Sequence, residues 1–235
     1  MLNLTLKLKI KQRLNKLDST DYDNIEDWQL IEAFNKGQVS WCRRQLVGTN
    51  ILKQGDEQSK RRIDDLQILL KKEVITMIKY KSYYESASIL PSDYFEFKRV
   101  ALKATSECCP DPKDMVVYLT EEANVPLLLR DHLKNPNYKW GETFMTFINN
   151  KFRIYTNDEF SVEPVTFYYY RQPRLIEFAG VSNPYTGLVS AADVTCEFKD
   201  DIVEVLLDEA AAIIAGDIEA FNQYSRETES AEKNN

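Results

Sequence analysis

The spacing of apolar residues changes twice along this chain, and those two changes bound what it can fold into. Up to about Leu66, large apolar side chains recur every three or four residues: Leu6, Ile10, Leu14 and Leu17, then Trp28, Ile31, Phe34, Val39, Cys42 and Leu46. From there to about Phe198, β-branched and aromatic residues alternate with polar ones, as in Val74, Thr76, Ile78 and Tyr80. From Asp201 the helical spacing returns with Val203, Leu206, Leu207, Ala210, Ile213, Ile214, Ile218 and Phe221. The first spacing lays one stripe along a helix and the second lays one face along a strand. Helices, then strands, then one long helix predict an α+β fold: a helical base with an inserted, mainly antiparallel β-region.

The boundaries follow from breakers. Residues 1–65 are expected to be helical, 66–198 β-rich and 200–224 the C-terminal helix, together one domain over 1–224; residues 225–235 form an acidic tail expected to be mobile. Leu2, Leu4, Leu6, Leu8 and Ile10 also alternate strictly, but the wider spacing continues past Ile10, so helix is preferred. Polar residues Asp18, Ser19, Asp21, Asp23 and Asn24 separate the first two helices, Gly37 interrupts the second stripe, and Gly48-Thr49-Asn50 ends it. Strands are expected over 83–90, 95–103 and 115–119, and a short helix over 121–133 is ended by Asn135-Pro136. Segments 143–148, 151–155 and 162–171 read as a meander, with turns at Asn149-Asn150 and Asn157-Asp158. Pro91-Ser92-Asp93 is another turn. Glu204, three residues after Asp201, completes a capping-box pattern.

With 235 residues, the chain is long enough to bury about 70% of its unfolded surface, so it needs neither disulfides nor metal to fold. Only 7 of those residues are glycine, which argues against glycine-rich phosphate loops. The net charge of −7 is opposite to that of a protein that grips nucleic acid. No apolar run approaches the ~20 residues of a membrane helix, and no stretch near the N-terminus has the form of a secretory signal. Cys42, Cys108, Cys109 and Cys196 lack the spacing of a zinc site or a redox pair, which fits a reducing compartment.

Candidate chemistry is thin. His132, the only histidine, supports no metal cluster; a hydrolase pairing it with Cys108 or Cys109 is a remote reading. The acids from Asp18 to Asp27 lack the glycine of a calcium loop. The run Phe167-Tyr168-Tyr169-Tyr170-Arg171 can stack bases, but strand alternation would send two of its four rings into a core. Lys60-Arg61-Arg62 and Lys71-Lys72 read as solvated surface. No catalytic, cofactor-binding or metal-ligating residue is assigned, and the chain is expected not to be an enzyme. The one directional feature is charge. Residues 1–17 carry Lys7, Lys9, Lys11, Arg13 and Lys16 and no acid; residues 200–235 carry ten acids, Glu227, Glu229 and Glu232 among them, against two bases. These opposite ends can attract within one subunit or between neighbours. The five bases and the three tail acids are therefore the candidate interface residues.

Several phrases resemble a known family. They are Leu90-Pro91-Ser92-Asp93-Tyr94, Ile154-Tyr155-Thr156 with Phe160, Tyr169-Tyr170-Arg171-Gln172-Pro173, and Cys196-Glu197 ahead of the last helix. In this order they resemble the ring-forming head-to-tail connector proteins of crAss-like bacteriophages, over about residues 27–221. The family's Cys-Glu is followed by Leu-Pro, here by Phe198-Lys199. The resemblance implies a structural virion protein, assembled in the bacterial host cytoplasm. It implies a homo-oligomeric ring of about twelve subunits below the portal protein, contacting adjacent connector rings and tail proteins. Packaged double-stranded DNA would pass through its channel without sequence-specific binding, and the ring would help retain it. No cofactor and no membrane are implied. The alternative is a non-catalytic binding or regulatory module of the phage or host cytoplasm.

Overall fold

The computed structural model describes residues 1–14, 25–47, 64–107, 109–182, 187–217 and 228–229. The expected turn at 18–24, the helix stop at 48–50, the Lys60-Arg61-Arg62 run, Cys108, the helix end at 218–224 and nearly all of the tail lie outside the described residues. The chain is α+β, and it divides into two compact units. One joins Met1–Leu69 to Pro173–Asn235; the other is Leu70–Gln172. The sequence places 173–198 with the strands, in one domain. In the structure this stretch belongs with the helices, because Ile176, Phe178, Cys196 and Phe198 are buried in the helical unit.

Three helices build that unit: α1 (Asn3–Leu14), α2 (Asp27–Val47) and a C-terminal helix, Asp200–Asp217. The first buries Asn3, Leu6, Ile10 and Leu14, a spacing that settles the strand-or-helix ambiguity in favour of helix. α2 differs from the stripe read in the sequence. Its buried residues are Leu30, Ala33, Phe34, Gln38, Trp41 and Cys42, whereas Trp28, Ile31 and Val39 are only half-buried on another face. Gly37 is no defect. A Cβ there would lie 3.2 Å from Glu209 Cγ, so its bareness lets α2 approach the C-terminal helix closely. That helix buries Ile202, Val203, Leu206, Leu207, Ala210, Ala211, Ile214 and Ala215 against both α1 and α2. Each large apolar side chain buried there contributes about 1.5–3 kcal/mol. An arm, residues 173–199, links the second unit back to this helix. It folds on itself through the bridges Glu177–Val194 and Ser182–Val189.

The second unit is a closed, mainly antiparallel barrel. Its strands are β1 (Leu70–Ile75), β2 (Met77–Lys79), β3 (Tyr83–Ser86), β4 (Tyr94–Ser106), β5 (Cys109–Leu119), β6 (Glu142–Ile148), β7 (Lys151–Tyr155), β8 (Ser161–Val162) and β9 (Val165–Arg171). The order across the sheet is β1-β9-β4-β5-β6-β7-β3-β2, with β8 paired to β4; among the described strands only β5 and β6 run parallel. β1 and β2 are two halves of one extended stretch broken at Thr76. The first half pairs with β9 at one end of the order and the second with β3 at the other, which closes the sheet. Phe152 of β7 then stacks on Phe167 of β9 across the interior, ring centroids 5.2 Å apart. The expected meander is half right. β6 and β7 form a hairpin, but β9 leaves them and pairs with β1 and β4, because the other edge of β7 is taken by β3. Both turns fall where expected: Asn149-Asn150 closes the β6–β7 hairpin, and Asn157-Asp158 joins β7 to β8, which pairs with β4 instead. Asn149, Asn150, Asn157 and Asp158 all have φ between 49° and 61°, the left-handed region that asparagine and aspartate tolerate. The helix expected over 121–133 is shorter: a 3-10 turn (Glu122–Asn124) leads into α3 (Val125–Arg130), so the C-terminal helix is α4.

Candidate assembly surfaces

The opposite charges at the chain's two ends meet inside the helical unit. Arg13 of α1 donates from Nη2 to Glu204 Oε2 at 2.8 Å and from Nε to Asp208 Oδ1 at 2.5 Å. Lys9 also bonds Glu204, and Lys7 Nζ lies 2.6 Å from Asp27 Oδ2 at the start of α2. The N-terminal amine lies 2.7 Å from Asp200 Oδ1. Burial raises the pKa of Glu204, but hydrogen bonds from Lys9 and Arg13 outweigh it and hold the carboxyl below its ordinary range. Glu204, read in sequence as half of a capping box, is thus committed to α1 instead. Of the candidate interface residues, Lys7, Lys9 and Arg13 are engaged within the chain. Lys11 is half-exposed and Glu229 exposed; Lys16, Glu227 and Glu232 lie outside the described residues.

A groove of about 910 Å³ opens on the other side of α2, between its half-buried face and the arm. The arm is stapled along the helix. Asn35 donates to the Ile176 carbonyl at 3.2 Å and accepts from the Ile176 N–H at 2.8 Å; Gln38 donates to the Arg174 carbonyl at 2.9 Å. Arg174 therefore sits beside Gln38 and Ile176 beside Asn35, so the arm runs antiparallel to α2. Beneath it Cys196 and Cys42 are buried, and burial pushes both thiols up, Cys196 to about 11. The groove walls are apolar: Trp28, Ile31, Val39, Leu175, Leu188 and Val189. Leu188 is 72% exposed and Val189 61%. On α1, the face turned away from α4 carries Leu4 and Leu8, 69% and 60% exposed. The sequence signal for both surfaces lies in a second apolar face of each helix: a single stripe merges Trp28, Ile31 and Val39 with the core of α2, while Leu4 and Leu8 fall outside the α1 stripe, in the alternating run.

The barrel has uncovered faces of its own. Alternation sends Phe167 and Tyr169 inward, where both are fully buried. The Tyr169 hydroxyl lies 3.0 Å from a carboxylate oxygen of both Glu73 and Asp93 and shares its one proton between them. Asp93 also takes Lys71 at 2.5 Å, which ties the Pro91-Ser92-Asp93 turn to β1 and β9. On the outer side Lys72, Tyr168 and Arg99 sit in one row across β1, β9 and β4, with the Arg99 guanidinium 4.3 Å from the Tyr168 ring centre. Val116, Tyr118 and Leu119 on β5, with Leu127 and Leu133 at and beyond α3, are about half-exposed or more. Through Val125, Leu128 and Leu129, α3 packs on Phe144, Tyr155 and Tyr83. His132 is exposed in the turn after α3, and Cys109 is exposed at the start of β5. Among the described residues, no group of three or more His, Cys, Asp or Glu is placed to hold a metal ion. No described helix is long and apolar enough to cross a membrane.

Comparison with models of known protein families gives no match, and comparison with curated proteins gives none.

Proposed function

We propose that the chain is a structural virion protein that forms a closed homo-oligomeric ring of about twelve subunits in a bacteriophage head-to-tail connector. It lies below the portal, extends the DNA channel, joins head to tail and helps retain the packaged DNA. The observation that carries this reading is the grouping of uncovered apolar side chains: two separate surfaces on the helical unit and a further one on the barrel. A monomer rarely displays several such patches, whereas a subunit in a stacked ring needs neighbours at its sides and above or below. The resemblance of the phrases around Pro91, Tyr155, Arg171 and Cys196 supplies the connector role. The chain's net charge of −7 suits a channel through which DNA slides rather than one that grips it.

Mass photometry of the purified protein, alone and mixed with the portal protein of the same genome, tests the proposal. A sharp multi-subunit species in either sample is expected, and its mass gives the subunit count. A monomer or dimer indifferent to portal moves the weight to a second reading, a cytoplasmic binding module. The Lys72–Tyr168–Arg99 row is the surface that favours that module.

A further inference from the structure

We propose that the Leu4–Leu8 ridge on α1 of one copy seats in the α2–arm groove of the next copy. This inference rests on the ring reading above and names the contact that would propagate it.

The two surfaces match in chemistry. The ridge has apolar side chains one helical turn apart, the spacing by which a helix fills an apolar groove. Lys11 follows Leu4 and Leu8 on the same side of α1 and has no ion pair among the described residues. The groove has apolar walls and carries two acids, Glu32 and Glu177, likewise without ion pairs among the described residues. Because the arm runs antiparallel to α2, Glu177 falls at the same end of the groove as Glu32. Lys36 lies one turn beyond Glu32, and Arg43 and Arg44, the latter paired with Glu209, line the groove toward the C-terminal end of α2. An entering helix is therefore oriented. Its Lys11 end meets Glu32 and Glu177, its Leu4 end lies toward Val39, and it runs antiparallel to α2.

A chain cannot fill its own groove this way. α1 is held on α4 by Leu6, Ile10 and Leu14 and by the bonds of Lys9 and Arg13 to Glu204 and Asp208, which turns Leu4 and Leu8 outward. No α1 residue lines the groove. In the proposed ring each copy takes a ridge from one neighbour and gives its own to the other, so the mating is heterologous. Each added subunit leaves one free ridge and one free groove, and the chain of subunits ends only by closing.

Complementation tests this. A ridge variant (Leu4→Glu with Leu8→Glu) and a groove variant (Val39→Glu with Val189→Glu) change exposed or half-exposed positions, so both are expected to fold; circular dichroism checks that. Each is measured alone and mixed with the other, with and without portal. The expected result is that each variant alone assembles at least about tenfold more weakly than the parent chain. Their equimolar mixture forms a 1:1 heterodimer and nothing larger, because the ridge variant keeps its groove and the groove variant its ridge. In a background with Cys108 and Cys109 replaced by serine, a chain carrying Lys11→Cys and a second chain carrying Glu32→Cys are expected to cross-link. Leu4→Cys with Glu32→Cys is not. Variants that assemble as the parent does overturn the contact and leave the ring standing. Variants that are monomeric but give no heterodimer overturn the heterologous pairing. A parent chain monomeric with and without portal overturns both readings.

Discussion

Replacing Arg13 with methionine isolates the joint between the two ends of the chain. Methionine keeps most of the aliphatic stem and removes the guanidinium. Two charge-assisted hydrogen bonds are lost, and they are not equivalent. Asp208 is 13% exposed and Arg13 itself 18%, so that bond lies near the range of about 1.5–3 kcal/mol for charged partners. Glu204 is 40% exposed, so solvent screening reduces its share to about 0.5 kcal/mol. The sum is about 2–3.5 kcal/mol. Lys9→Met loses only a bond to the same half-exposed Glu204 and should cost about 0.5 kcal/mol. Urea unfolding followed by far-UV circular dichroism measures both, and 1 M salt should erase the Lys9 effect while leaving most of the Arg13 effect. The acid side follows with its own sign. Glu204's carboxyl is held below its ordinary value of 4.5, so its stabilisation is present at neutral pH and above, and fades as pH falls through the lowered value. Arg13→Met relaxes that lowering and should move acid unfolding of the helical unit to higher pH. Equal costs for Arg13→Met and Lys9→Met, or a double-mutant coupling of Arg13 with Asp208 no larger than with Glu204, would refute the reasoning.

Other outcomes are expected elsewhere. Phe167 is fully buried against Phe152, Tyr94, Phe97, Phe147 and Tyr169, so Phe167→Ala should cost about 3–5 kcal/mol and Phe167→Leu about 1–1.5 kcal/mol by chemical denaturation. Asn150 has φ of 57°, so Asn150→Gly should be neutral or slightly stabilising, whereas Asn150→Val should cost about 1–2 kcal/mol, read as shifts in melting temperature. With Cys108 replaced by serine, a maleimide should label Cys109 in the native protein at once; Cys42 and Cys196 should react only when urea opens the helical unit, as mass spectrometry of timed samples would show.

What could be read from sequence was what depends on neighbours in sequence. The three main helices, the strands, and the Asn149-Asn150 and Asn157-Asp158 turns are local matters of period and backbone preference. Barrel closure was not legible. It depends on residues 70–79 pairing at both ends of the strand order, and nothing in their alternation separates one long strand from two halves bent at Thr76. The course of β9 is hidden for the same reason, since Val165, Phe167 and Tyr169 would suit any interior edge. α2 shows a different limit. Trp28, Ile31 and Val39 are as apolar as the residues that are buried, and only the close approach at Gly37 decides which face meets α4. The candidate surfaces consist of the apolar residues left over once the core is known, so they become visible only after the core has been located.

The charge asymmetry between the two ends raised the idea that complementary charges close an assembly. Within the described residues that attraction is largely consumed in cis: Arg13 and Lys9 engage Glu204 and Asp208, and Lys7 engages Asp27. Charges so paired hold α1 in place and, by doing so, fix the direction in which Leu4 and Leu8 point. In the proposed ring their contribution would be geometric rather than Coulombic, and of the α1 bases Lys11 would be left to act across a subunit boundary. Salt screens one exposed pair over about 10 Å at 0.1 M, a loss of at most about 1 kcal/mol, whereas apolar burial is not screened. Assembly should therefore change by no more than a few-fold between 0.05 and 0.5 M sodium chloride, measured as the midpoint of a dilution series by mass photometry. A drop of a hundredfold or more would return the weight to a contact made by ions.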